Sequence, residues 1–156
     1  KRVFLFSCFC GMRYSDIKNL TWGNITEDFK LQFSQQKTQT SKGKQTSVTL
    51  LPMNPQAIAL LGERQADDCK VFETPLQQTC DKALKGIAAK LKIKKNLHFH
   101  IARHSFGVIL LENDVDIYKV SKLLGHKSVN TTIKHYANIT DKGAREAIDC
   151  FPKIKI

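Results

Sequence analysis

From Asn24 to Leu51 the chain switches from helical spacing to apolar and polar residues at every second position. Between Asn24 and Leu51, Phe29, Leu31 and Phe33 stand on one face and Lys30, Gln32 and Ser34 on the other, and Val48 and Leu50 repeat the alternation on a return strand. Period two is the mark of a half-buried strand. The intervening KTQTSKGK is polar, holds one glycine and reads as a basic hairpin tip. A single hairpin is not a core by itself, so the rest of the chain must supply one. The rest is helical in pattern, and the expected fold is therefore α+β, mainly helical, with a small antiparallel sheet on one edge.

The helical pattern is punctuated clearly. VFLFSCFCGM reads as a buried helix stopped by Gly11, and Ser15 or Asp16 begins a short helix carrying Ile17 and Leu20, with Arg13 in the break. After Pro52, Asn54 caps a helix through Gly62, and Thr79 to Leu91 sets Leu84, Ile87, Ala88 and Leu91 on one stripe. The next helix carries Phe99, Ala102, Phe106, Ile109 and Leu110 inward. Asp114 or Asp116 starts another, bearing Ile117, Val120 and Leu124 and closed by Gly125. Ser128 caps a short helix ending near Tyr136, and Asp141 opens a last one through Cys150, with Ala144, Ala147, Ile148 and Phe151 at helical spacing.

Composition narrows the class. A chain of 156 residues, 42% apolar and 25% charged, with four prolines, is expected to form one soluble domain over residues 1–156. No apolar run is long enough to span a bilayer and no signal-peptide order opens the chain, so a cytoplasmic location and no membrane partner are expected. Lys1 leads straight into an apolar run, as though the chain began partway into a helix, which suggests a fragment. Five scattered cysteines (Cys8, Cys10, Cys69, Cys80, Cys150) suggest neither a disulfide framework nor a zinc site, but buried thiols in a reducing compartment.

Charge points to a partner. Twenty-five Lys and Arg against 14 Asp and Glu leave +11, which favours a polyanion. Between Asp81 and Glu112 there is no acid, while Lys82, Lys85, Lys90, Lys92, Lys94, Lys95 and Arg103 fall inside the gap. A solvated helix face ordinarily mixes signs. Nucleic acid is the favoured partner over acidic lipid headgroups, with Lys42 and Lys44 on the hairpin tip joining Lys82, Lys85, Lys92, Lys94 and Lys95 as candidate DNA contacts.

Four places carry polar residues that a purely structural role explains poorly. Arg13 follows a buried helix, with Asp16 as a candidate partner. His100 and Arg103 in HFHIARHSF are spaced i, i+3, and so share a helix face away from Phe99, Ala102 and Phe106. Lys37 stands at the base of the hairpin tip. Tyr136 sits among basic residues in LLGHKSVNTTIKHYANI and, taken alone, is an ordinary tyrosine closing a helix with its hydroxyl in water. His100 and His104 also have the i, i+4 spacing of zinc ligands, but no H-E-x-x-H glutamate adjoins them and the surrounding positive charge would repel a dication.

In order, GMRYSD, the lysine of QKT, HIARHSF, LLGH and a tyrosine after NTT resemble the catalytic domain of the tyrosine recombinase (phage integrase) family, over Cys10 to Tyr136. The resemblance implies Tyr136 as nucleophile, Arg13 as the first motif arginine, Lys37 as the hairpin lysine, His100 and Arg103 as the H-x-x-R pair and His126 as the LGH histidine, with Asp16 supporting Arg13. It implies strand breakage and rejoining on double-stranded DNA with no cofactor and no metal, a homo-tetramer on paired sites in the intact protein, and assistance from host DNA-bending factors. It also implies an N-terminal DNA-clamping domain and a first catalytic-domain helix beyond these residues. Type IB topoisomerase-like strand swivelling, a non-catalytic DNA-binding module and a metal-dependent nuclease are the competing readings.

Overall fold

A computed structural model of the chain describes residues 1–34 and 48–140. Its elements run α1 (Arg2–Cys10), α2 (Tyr14–Asn19), a 3-10 turn (Trp22–Asn24), β1 (Lys30–Ser34), β2 (Val48–Pro52), α3 (Pro55–Ala59), α4 (Gln77–Lys90), α5 (His100–Glu112), α6 (Ile117–Leu124) and α7 (Val129–Thr140). The mainly helical fold with one small antiparallel hairpin is the one expected. The chain forms two compact units, Lys1–Phe106 and Gly107–Ile156.

In the first unit, α1 buries Phe6, Ser7 and Cys10 and ends where Gly11 turns left-handed (φ 68°), its N–H bonding the Ser7 carbonyl. α2 begins one residue earlier than the polar pair Ser15 and Asp16 suggests. Arg13 is the residue at its cap: extended, with no side-chain capping bond, its carbonyl accepts the N–H groups of Asp16 and Ile17, each at 3.1 Å.

The hairpin pairs Leu31 with Leu51 and Gln32 with Leu50. Directly opposed residues share a face, and Leu31 and Leu51 are buried whereas Leu50 is exposed. The inward residue of the return strand is thus Leu51, not Leu50. Phe29 also departs from expectation: it lies before β1 with φ 54°, in a tight turn whose N–H reaches back to Thr26, and its ring is exposed.

Long-range bonds fasten the helices. Asn54 accepts the Ala57 N–H at 2.8 Å, as a cap should, while its amide nitrogen donates to the Phe9 carbonyl at 3.0 Å, tying α3 to α1. The Arg2 guanidinium donates to the carbonyls of Leu60 and Leu61, each at 2.6 Å. In α4 only Leu84 and Ala88 of the expected stripe are buried, and Ile87 and Leu91 face out. A helix of this length touching its neighbour along one line buries a narrower strip than its apolar residues define. Asp81 in α4 accepts the Phe99 N–H at 2.6 Å, fixing the entry to α5. Phe99, Ala102 and Phe106 are buried as expected.

In the second unit, Asp116 caps α6 by accepting the N–H groups of Tyr118 and Lys119 at 2.9 and 3.2 Å, and Gly125 (φ 62°) closes it. Val120 and Leu124 are fully buried; Ile109, expected inward, is exposed. Ser128 accepts the Asn130 N–H at 3.3 Å at the start of α7. α7 does not end near Tyr136 but runs on to Thr140, so Tyr136 lies inside a helix and is buried, one turn beyond the buried Thr132. The helix expected from Asp141 through Cys150 lies outside the described residues, as does the hairpin tip. Among the described residues no helix is long and apolar enough to cross a membrane.

Candidate active site

A cavity of about 180 Å³ opens in the first unit where the break after α1 meets the start of α5. Arg13, Tyr14 and Ser15 come to it from the break and α2, Gln77 from the first residue of α4, and His100 and Arg103 from the first turn of α5. Three of the sequence-predicted residues therefore share one lining.

The joint between α1 and α5 explains how. The left-handed turn at Gly11 leaves its carbonyl to accept a 2.7 Å bond from the Arg103 guanidinium. A Cβ at Gly11 would stand 2.5 Å from the Phe106 ring, so the residue is demanded twice, by backbone and by space. Ser7, fully buried, donates from its hydroxyl to the Met12 carbonyl at 2.8 Å and holds the same break from below. Arg103 and His100 consequently do not point off the core together, as their spacing suggests: Arg103 is only 4% exposed, whereas His100 is exposed.

The site is cationic, and its titratable groups respond. His100 is pushed down to about 4, first by loss of hydration, then by His104, Arg103, His98 and Arg13. Although its outer edge meets solvent, every one of those neighbours disfavours a further positive charge, so the imidazole is neutral near pH 7. Asp16 is buried, and burial raises its carboxyl even though the Arg13 and Arg103 charges pull it down. Its Oδ1 receives the Ser15 hydroxyl at 3.4 Å; its Oδ2 is buried with no hydrogen-bond partner. Burial also pushes the Cys10 thiol up to about 12, so it is inert beside Arg103. Cys10 is the one fully buried thiol among the described cysteines; Cys8, Cys69 and Cys80 are free and half-buried, less enclosed than expected. The His100 and His104 rings stand edge to face at 4.9 Å. Among the described residues, no three His, Cys, Asp or Glu side chains converge as metal ligands.

His126 and Tyr136 belong to the second unit. His126 follows the glycine that ends α6, and its Nδ1 hydrogen-bonds the Thr132 hydroxyl at 2.7 Å. If that hydroxyl donates, the ring carries its proton on Nε2. Tyr136 is 3% exposed in α7, with the His135 ring 6.5 Å away.

Lys37, Lys42 and Lys44 lie outside the described residues. Lys82 and Lys85 on α4 and Lys92, Lys94 and Lys95 after it are all exposed. Sequence inspection did not single out Gln77 or Thr132. Nothing in the sequence ties Gln77 to Arg13 across more than sixty residues, whereas Thr132 was within reach: a hydroxyl six residues after His126, on the buried face of a helix, needs a polar partner.

Comparison with known proteins agrees with this architecture. A tyrosine recombinase XerC of Xanthomonas axonopodis pv. citri is 29% identical over 84% of this chain, which spans 46% of that protein's length. A tyrosine recombinase XerD of Listeria monocytogenes is 46% identical over 38% of the chain and 20% of its own length. Among solved structures, the Tn1549 transposon integrase in complex with a circular intermediate DNA superposes with a TM-score of 0.70 at 15% identity, over 96% of this chain and 58% of that one. The catalytic domain of bacteriophage HP1 integrase does so with a TM-score of 0.66 at 18% identity, over 97% and 81% respectively. These structural likenesses are to the fold. The profile of the phage integrase family matches residues 1–142, from α1 past the end of α7 and through every motif described above, and the chain belongs to that family.

Proposed function

We propose that the protein is a site-specific DNA recombinase, the integrase of a mobile element, cutting and rejoining strands through a 3′-phosphotyrosine. The observation that carries this reading is the cavity shared by Arg13, His100 and Arg103. Attack on a phosphodiester builds negative charge on the nonbridging oxygens, and two forked guanidiniums answer it without a metal. Because Arg103 is anchored to the Gly11 carbonyl, its remaining donors are preoriented.

Tyr136 attacks phosphorus through its phenolic oxygen. Its proton passes to His100, the bond to the 5′ oxygen breaks, and Lys37 protonates that oxygen as it leaves. His100 is a weak base while the site is empty of DNA, since loss of hydration first and its cationic neighbours second hold it near 4. An incoming phosphate brings the opposite charge and raises its basicity when it is needed. His126, with Nδ1 engaged by Thr132, offers an Nε2–H to a nonbridging oxygen. The phosphotyrosyl bond conserves the energy of the broken linkage until another 5′-hydroxyl attacks it.

The exposed Lys82, Lys85, Lys92, Lys94 and Lys95, with Lys42 and Lys44 of the hairpin, contact backbone phosphates. The intact protein works in the cytoplasm as a homo-tetramer on paired sites, with host DNA-bending factors. The test is incubation with nicked duplexes in excess EDTA, followed by denaturing electrophoresis. A protein band shifted by covalent oligonucleotide is expected, and Tyr136→Phe abolishes it while leaving binding intact. An adduct that survives Tyr136→Phe removes Tyr136 from the chemistry.

A further inference from the structure

Glycine inside a helix gives up more chain entropy than any other residue, so a mid-helix glycine asks for a reason. Two occur in the α-helices of the described residues, and they differ. Gly86 in α4 has nothing within 4 Å of where a Cβ would stand. At Gly107 in α5, a Cβ would lie 2.5 Å from the Tyr136 hydroxyl oxygen, 2.6 Å from Cζ and 3.1 Å from Cε1. Gly107 has no positive φ; what it provides is space alone. Within the second unit, the phenol end of Tyr136 thus lies directly on bare α5 backbone, closer than any side chain would permit.

That placement bears on reactivity. Tyr136 is 3% exposed, yet a nucleophile must reach a phosphorus surrounded by four oxygens on a bulky duplex. We propose that Gly107 is a positioning residue: its missing side chain creates a seat on α5 in which the Tyr136 phenol rests, protected, and from which it must move to meet DNA. This rests on the reading of Tyr136 as nucleophile. The seat keeps the hydroxyl from adventitious electrophiles and makes DNA engagement the condition for attack.

Tyr118, 62% exposed in the same unit, supplies an internal reference. Tetranitromethane modifies accessible phenols, and peptide mass mapping separates the sites. Without DNA, Tyr136 of the wild-type protein is expected to nitrate on the order of tenfold more slowly than Tyr118, because reaction waits on local opening. Gly107→Ala displaces the phenol and brings its nitration to the rate of Tyr118, and adduct formation on a nicked duplex becomes faster. Gly86→Ala, which adds the same methyl to a helical glycine in open space, changes neither. The seat is disproved if wild-type Tyr136 nitrates as fast as Tyr118, a measurement that needs no variant to fold, or if Gly107→Ala leaves Tyr136 protected. An exposed Tyr136 that forms adduct more slowly in Gly107→Ala shows instead that the seat is the reactive pose, and overturns the resting role. Adduct formation by Tyr136→Phe strikes at the nucleophile assignment alone, so the two failures are separable.

Discussion

The two units hold their polar residues by opposite means. In the first, Arg103 is fixed by a carbonyl 92 positions away in sequence, and the cavity draws on α1's end, α2, α4 and α5. In the second, His126 is fixed by Thr132 only six positions on, and Thr132 and Tyr136 are successive turns of one helix. The difference teaches where each part is vulnerable. A constellation assembled from distant segments depends on the backbone joint at Gly11, and disturbing that joint disturbs several side chains together. A constellation built locally depends on bonds between near neighbours in sequence, such as His126 to Thr132, and on the space its helix is given.

The largest expected effect tests the distant anchor. Arg103→Ala deletes the donor proposed to meet the developing charge and should slow adduct formation by on the order of a hundredfold or more. It also strands the buried Gly11 carbonyl, costing roughly 1–3 kcal/mol of stability. Arg103→Lys keeps the charge but loses the fork, and should recover stability better than rate; equal recovery of both would mean that geometry is not what Arg103 supplies.

Gly11→Ala touches no proposed reacting group, yet forces φ 68° on a residue with a Cβ and drives that atom against Phe106. Strain of about 1–3 kcal/mol is expected, with adduct formation falling in step because Arg103 shifts with its acceptor. Urea unfolding and single-turnover cleavage measured together decide it: full activity in a destabilised protein would uncouple the joint from the site. Thr132→Val in the second unit removes one hydroxyl of similar shape. It should cost about 1 kcal/mol and release His126 to either tautomer, lowering cleavage modestly without touching Arg103.

What could be read in the sequence follows the same division. Gly11, Gly125 and Asn54 were legible, and Asp116 as one of two candidates with Asp114, because caps and left-handed stops act through neighbouring residues. Arg13, His100, Arg103, His126 and Tyr136 were picked out by the order of five short motifs, each of them weak alone. Leu50, Ile87 and Ile109 were misplaced because which face of a strand or helix is buried depends on a partner that periodicity does not name. The burial of Arg103 was illegible for a related reason: a recess at Gly11 exists only once α1 and α5 meet. The continuation of α7 through Tyr136 to Thr140 was missed although HYANIT carries no stop, because a helix opened by Asp141 calls for a break before it.

The smallest expected effect concerns Asp16, the buried acid that feels the charges of Arg13 and Arg103. Burial raises its carboxyl above the ordinary 3.8, with Arg13 and Arg103 offsetting only part of that. A carboxyl whose folded pKa lies above its unfolded value binds its proton more tightly when folded. Its stabilising contribution is therefore complete below the unfolded pKa and is lost as pH rises through the folded one. His100 tilts the profile the other way, because its depressed value removes stability as pH falls from about 6.5 toward 4. The two slopes overlap in the wild type and separate in a difference experiment. Asp16→Asn abolishes one and leaves the other, so subtracting the urea unfolding free energies of the two proteins across this range isolates the carboxyl. The difference should move in favour of the variant as pH rises and then level off, with Asp16→Asn as stable as wild type or slightly more so at neutral pH. A variant weaker by more than about 1 kcal/mol at pH 7 would mean that the ion pairing with Arg13 and Arg103 outweighs burial. Asp16 would then be a brace for the arginines, with an effect to rank beside that of Gly11.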